Sequence, residues 1–265
     1  MSLWVLRTNS LLKPPTAQQP LQPTTLRFCP PVQDGLGGMF EALTVSSHRD
    51  IRPRMSYIIY GTGGHAREIF FQLVADGHGI SCFADDRSPD RLIGDLRVEN
   101  SRIAVERFPD ARWIVAIGNP SAREFVTQEL LDVGANIGSF VSKRAFVAPD
   151  AIVGPEAQIF ANAVVSTGCT LGKSVIMHFG SILCHDSSIS DYSILCPGVV
   201  VPGNVEIGHG VFVGAGASFR DGKPEAKLKI HDGSIIGAGS CVVRDVAPNT
   251  TVAGVPAVPK QKDTA

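Results

Sequence analysis

From Val141 onward the chain carries an apolar residue at every sixth position of one frame: Val147, Val153, Ile159, Val165, Leu171, Met177, Leu183, Ile189, Leu195, Val201, Ile207, Val213 and Phe219. Four residues after each from Val147 to Val213, the side chain is small or β-branched: Ala151, Ala157, Ala163, Cys169, Val175, Ser181, Ser187, Ser193, Val199, Val205, Val211 and Ala217. A period of six fits neither the 3.6 of a helix nor the long strands of an open sheet. It fits short strands separated by turns and wound into a solenoid. Each unit can bury its apolar residue only by stacking on its neighbours, at the ordinary strand spacing of about 4.8 Å.

The pattern resembles the hexapeptide-repeat proteins. That resemblance implies three units per coil, so that residues eighteen apart lie above one another, and a left-handed winding against the usual crossover handedness. The frame breaks at residues 220–229, a polar stretch read as an extruded loop, and resumes with Ile230, Ile236 and Val242 before the chain leaves through Ala253-Gly254-Val255-Pro256-Ala257.

Upstream, Tyr57–Tyr60 reads as a short apolar strand, followed by Gly61-Thr62-Gly63-Gly64-His65-Ala66 and a helical stripe of Ile69, Phe70, Leu73 and Val74. This is strand, glycine turn and helix in the G-x-G-x-x-A form. The glycines permit a tight turn and close ligand approach, and the free N–H groups of the helix start favour an anion. A second strand, Ile80–Ala84, ends in Asp85-Asp86, where a Rossmann unit places an acid for a ribose or base. A third, Arg112–Ile117, closes on Gly118-Asn119, with Ser121 positioned to cap a helix running to Val133. Gly61, Thr62, Gly63, Gly64, His65, Asp85, Asp86, Gly118 and Asn119 are therefore the candidate nucleotide contacts, with His65 able either to touch a phosphate or to cap the turn. At roughly 85 residues the unit lacks the second half of a dinucleotide fold, so a mononucleotide moiety is expected.

The fold class expected is thus α/β plus all-β. Residues 1–54 form an extension rich in Pro, Gln, Thr and Ser and expected to be disordered, 55–138 a Rossmann-like βαβαβ domain, and 139–265 the β-helix. The ordered pattern begins directly after Met55, which suggests that residue as the true start. The 24 Lys and Arg nearly cancel the 25 Asp and Glu, with no basic cluster, so nucleic acid is not an expected partner. No apolar run reaches the ~18 residues of a membrane span. Six cysteines without paired motif spacing fit a reduced, cytoplasmic setting.

In the solenoid frame His185 falls two places after Leu183, at a surface turn. Asp186 follows it, and Gly203, eighteen residues on, offers a backbone N–H one coil above. An imidazole with a neighbouring carboxylate and a nearby N–H donor supplies a general base and an oxyanion partner for acyl transfer. With the glycine turn, Phe83-Ala84-Asp85-Asp86, Ile117-Gly118-Asn119, Cys184-His185-Asp186, Pro202–Gly208 and Gly254-Val255-Pro256-Ala257, the sequence from Met55 onward resembles the bacterial nucleotide-amino-sugar and sialic-acid acetyltransferases. The resemblance implies a catalytic base at His185 with Asp186 as its acidic neighbour, and an acetyl-carbonyl amide at Gly203. It further implies acetyl-CoA as co-substrate, lined also by Ala238, Gly239, Gly254, Val255 and Pro256. A homotrimer with active sites between subunits is implied, and no metal. Some members carry a second histidine near the acetyl group, where this chain has Ile194.

The acceptor implied is a nucleotide-linked 4-amino sugar; O-acetylation of sialic acid or a related hydroxyl is the alternative. A non-catalytic nucleotide-sugar-binding assembly protein is the rival of another class. A trimeric zinc carbonic anhydrase on the same solenoid needs three converging histidines, which the spacing does not provide. His178, His209 and His231 read as surface residues, and Cys184 and Cys196, twelve apart, do not stack.

Overall fold

The structure, a computed structural model, describes residues 56–260; the expectations for residues 1–54 and for Met55 lie outside them. Strand β1 (Ser56–Tyr60) leads through the glycine turn into helix α1 (Gly64–Ala75) and strand β2 (Gly79–Ala84). There follow β3 (Arg91–Ile93), β4 (Leu96–Glu99), α2 (Ser101–Arg107), β5 (Arg112–Val115) and α3 (Pro120–Asp132). The sheet order is β3-β4-β2-β1-β5, parallel except for the β3–β4 hairpin. The Rossmann-like core of three strands is as expected, and the hairpin and α2 are additions. Their signal is weak in the sequence because β3 spans three residues and is largely exposed, which leaves no alternation to read. Ile58, Trp113, Val115 and Leu130 are among the side chains that fill this domain's own core.

Ser121 does not cap α3. Pro120 takes the first helical position and the Asn119 side chain accepts from the Ala122 N–H at 2.9 Å. Proline has no N–H to lose there and its φ is pre-set for the helix, so the cap moves to the residue before it.

Beyond Phe140 the chain is a parallel β-helix of two- and three-residue strands on three faces. The first face runs through Gln158–Ile159, Ile176–Met177, Ile194–Leu195 and Phe212–Val213. The second runs through Phe146–Val147, Val164–Val165, Ile182–Leu183 and Val200–Val201. The third runs through Ile152–Val153, Thr170–Leu171, Ser188–Ile189 and Val205–Ile207. Register partners are eighteen residues apart, and the sixfold stripe from Ile159 to Val242 is buried in one continuous core. Val147 and Val153, on the first coil, are half-buried, with no coil beneath them among the described residues.

The break is shorter than the sequence suggests. Leu228–Ile230 already pairs with Val205–Ile207, and Leu228 is fully buried. Ile207 to Ile230 is a step of 23 residues against the usual eighteen, so five extra residues are extruded.

The Rossmann-like domain sits on the first face, where side chains that point outward are nonetheless covered. Gln158 is 1% exposed and its Nε2 donates to the Val115 carbonyl at 2.8 Å; Ala161 N–H donates to Gln72 Oε1 at 3.1 Å, and Lys143 N–H to Asp76 Oδ2 at 3.1 Å.

Candidate active site

His185 leaves the second face at its corner with the third. Its Nδ1 lies 2.8 Å from Asp186 Oδ2, and both side chains are more than half exposed. A carboxylate accepts only, so Nδ1 carries the proton and Nε2 presents its lone pair outward. Asp186 holds φ at +58°, in the left-handed region that this corner requires, with Gly168 below it at +66° and Asn204 above at +59°. Aspartate, asparagine and glycine are the residues that tolerate that region, so the turn dictates the residue type that also orients the imidazole.

Gly203 lies above His185. A Cβ there would stand 2.5 Å from Cε1 and 2.6 Å from Nε2 of the ring, so the imidazole rests against the bare Cα. Asn204 N–H donates to the His185 carbonyl at 3.2 Å and Cys184 N–H to the Val201 carbonyl at 2.8 Å, which fixes the two coils on either side of the pair. Ile194 is buried on the first face, beside the covering nucleotide domain.

Ala238 and Gly239 follow the first-face strand Ile235–Ile236, at the corner between the first and second faces. The Cys241 N–H donates to the Gly254 carbonyl at 3.0 Å and the Gly254 N–H to Ser240 Oγ at 3.2 Å, so the Gly254-Val255-Pro256 turn folds against this corner, with a cis Val255–Pro256 bond. This patch and His185 thus stand on opposite edges of the second face.

A cavity of about 940 Å³ opens in the Rossmann-like domain and is lined by Gly61, Thr62, Gly63, Asp85, Asp86 and Gly118 of the sequence candidates. Gly61 has φ +107°, and its missing side chain admits the Ala116 carbonyl, 3.1 Å from where a Cβ would be. The N-terminus of α1, which begins one residue after Gly63 of the lining, has no side-chain cap. The two acids are already engaged. Asp85 accepts from Thr62 Oγ1 at 2.7 Å and from Arg87 N–H at 3.0 Å, while Asp86 accepts from Ser101 N–H, Asn100 Nδ2 and Tyr60 OH at 2.7, 2.8 and 3.1 Å. They shape the wall as much as they face the cavity. Gly64, His65 and Asn119 do not line it. Asn100, Ser101, Arg102 and Phe125 do, and sequence reading missed them; Asn100-Ser101 as a helix start was the available signal.

His65 neither caps the turn nor faces the cavity: its Nε2 pairs with Gln158 Oε1 at 3.0 Å across the domain junction. His178 is not a surface residue. It is 7% exposed and stacked on Phe160 with ring centroids 4.4 Å apart, because the covering domain buries a turn position that a lone solenoid would leave in water.

A β-helix of hexapeptide repeats carrying a histidine–aspartate corner, behind a Rossmann-like cavity domain, defines an acyltransferase. The family described as the PglD N-terminal domain matches residues 57–130. GDP-perosamine N-acetyltransferase of Escherichia coli O157:H7 is 28% identical over 208 residues, 76% of this chain and 94% of that one. The crystal structure of PerB from Caulobacter crescentus in complex with CoA and GDP-perosamine aligns with TM-score 0.70 and 26% identity over 78% of this chain and 98% of that one. The acetyltransferase domain of PglB from Neisseria gonorrhoeae, in complex with acetyl coenzyme A, aligns with TM-score 0.69 and 29% identity over 77% and 98%. Over most of its length the chain is thus similar to bacterial sugar acetyltransferases, and its β-helix is of the left-handed kind.

Proposed function

We propose that this protein transfers the acetyl group of acetyl-CoA to the amine of a nucleotide-linked 4-amino sugar. The observation that carries the reading is the His185–Asp186 pair lying against Gly203. The neutral amine attacks the thioester carbonyl, and His185 Nε2 takes the proton from nitrogen as the C–N bond forms. The Gly203 N–H donates to the carbonyl oxygen as it becomes negative; the C–S bond then breaks and CoA leaves as thiolate, which takes up the proton. Asp186 holds the Nδ1–H tautomer and steadies the imidazolium. The nucleotide occupies the cavity of the first domain, with the diphosphate at the open start of α1 and the base beside Phe125. Relatives that act on GDP-perosamine support a GDP-linked sugar as the first acceptor to try.

Two features support a homotrimer with shared sites. CoA reaching both His185 and the Gly239–Gly254 patch must cross the second face or pass between copies. That face also presents an outward row of Phe146, Val164, Ile182 and Val200, with Phe146 58% exposed. No helix among the described residues is long and apolar enough to cross a membrane. The five described cysteines are all free, in keeping with a cytoplasmic setting.

The test is thiol release from acetyl-CoA with GDP-, UDP- and dTDP-linked 4-amino sugars, and with sialic acid. Transfer to an amino sugar is expected, with His185→Ala slowing turnover about 10²- to 10⁴-fold. Transfer only to a hydroxyl, or a His185→Ala variant of near-normal rate, would overturn the reading.

A further inference from the structure

We propose that His65, Glu68 and His178 form a binding site for one divalent transition-metal ion that ties the nucleotide domain to the β-helix. The inference is independent of the acetyl transfer, since none of the three residues enters that reaction. His65 and Glu68 lie three residues apart on one side of α1, and His178 follows the first-face strand Ile176–Met177. Their ligand atoms all lie within 4.8 Å of one another. His178 Nε2 stands 3.2 Å from Glu68 Oε2, and His65 Nδ1 3.9 Å from the same oxygen.

The hydrogen bonds around the cluster fix what His65 can offer. Gln158 donates through Nε2 to the Val115 carbonyl, so the atom it turns to His65 is its carbonyl oxygen, and His65 Nε2 must carry the proton. Its Nδ1 is therefore a bare lone pair aimed at a carboxylate oxygen. His65 Nδ1 and Glu68 Oε2 are both acceptors 3.9 Å apart, and a cation bound by both would draw them together. A ligating histidine that donates its other N–H to a carbonyl is the usual second-shell arrangement of a metal site.

His178 is less ready, because its Nδ1 accepts from the Phe179 N–H at 3.0 Å and its proton thus sits on Nε2, toward Glu68. Metal binding would move that proton through solvent to Nδ1, turning an acceptor into a donor, and so would give up both the Phe179 N–H bond and the bond to Glu68, a cost that the new metal–ligand bonds must exceed. Phe160 stacks on the His178 ring and lies 5.4 Å from that of His65, limiting the motion of both. Glu68 is 46% exposed, so its carboxylate can close the remaining gap and the fourth position stays open to water. Two imidazoles and one carboxylate suit Zn²⁺, Co²⁺ or Ni²⁺ better than Mg²⁺ or Ca²⁺.

The experiment is titration of the chelator-stripped full chain with CoCl₂, followed by visible absorption and thermal melting. One Co²⁺ per chain with the strong visible bands of low coordination is expected, displaced by Zn²⁺. The midpoint should rise by on the order of 5–10 °C at a hundredfold excess over Kd. His65→Gln, His178→Gln and Glu68→Gln should abolish the bands. Gln158→Met should weaken binding by about 10- to 100-fold. Glu68 is half-exposed and its substitution leaves the fold intact, so that variant is decisive even where a histidine variant folds poorly. Absence of bands and of a midpoint shift in the wild type would overturn the site. So would unchanged cobalt binding in Glu68→Gln, which would show the ion bound elsewhere.

Discussion

Gly203 lacks a side chain where an imidazole needs the room. Its backbone lies outside the left-handed region, so alanine is acceptable to the main chain while its Cβ collides with the His185 ring. Gly203→Ala should therefore melt within a few degrees of wild type yet lose about 100-fold in kcat, the scale of a 1 Å misplacement of a catalytic group; parallel melting and steady-state kinetics separate the two. Burial acts at this scale too. It pushes the Cys82 thiol to about 12, with Glu99 adding to the effect, and the Cys196 thiol to about 11. At pH 8 both thiols therefore stay protonated and weakly nucleophilic. Iodoacetamide should leave both unmodified in the native protein and label them after denaturation, as peptide mass spectrometry would record. His185, Asp186 and Gly203 were legible as a set because the eighteen-residue coil converts sequence distance into vertical stacking. His178 occupies a turn position of the same frame and was misread, since its burial comes from another domain and no periodicity encodes that.

Among the elements, α3 links the cavity to the β-helix through one side chain. Arg123 is fully buried and donates to the carbonyls of Ile117 and Gly118, both at 2.9 Å, at the turn that floors the cavity. It also donates to the carbonyls of Ser174, at 3.3 Å, and of Tyr192, on successive coils. Burial lowers its pKa to about 10, so it remains charged at neutral pH, held by backbone dipoles. Arg123→Met would leave those carbonyls unpaired, with an expected loss of about 3 kcal/mol in urea unfolding. It should also weaken nucleotide-sugar binding more than CoA binding, because the turn at Gly118 loses its anchor. Sequence reading found α3 but not this function. An arginine among Ser121, Ala122, Glu124 and Phe125 reads as one more surface charge until its partners are known.

At the scale of the whole molecule, the outward apolar row on the second face argues for copies meeting there. Val200→Asp would place a charge in the proposed contact. It should convert a trimer to monomers in light scattering while the solenoid core, on the opposite side of the strand, keeps its melting temperature within a few degrees. A monomeric wild type would remove the shared-site picture.

The sixfold stripe determined by itself that the chain winds into coils and which side chains fill them, because each residue of a solenoid has a fixed direction relative to its neighbours in sequence. The glycine turn likewise announced its strand and helix, since both rest on contacts between near residues. Only the tertiary structure decided where the nucleotide domain sits. The packing that buries Gln158, His178 and Arg123 pairs His65 with Gln158, 93 positions away, and Glu68 with His178, 110 positions away, and contact at such distances leaves no local pattern in the chain.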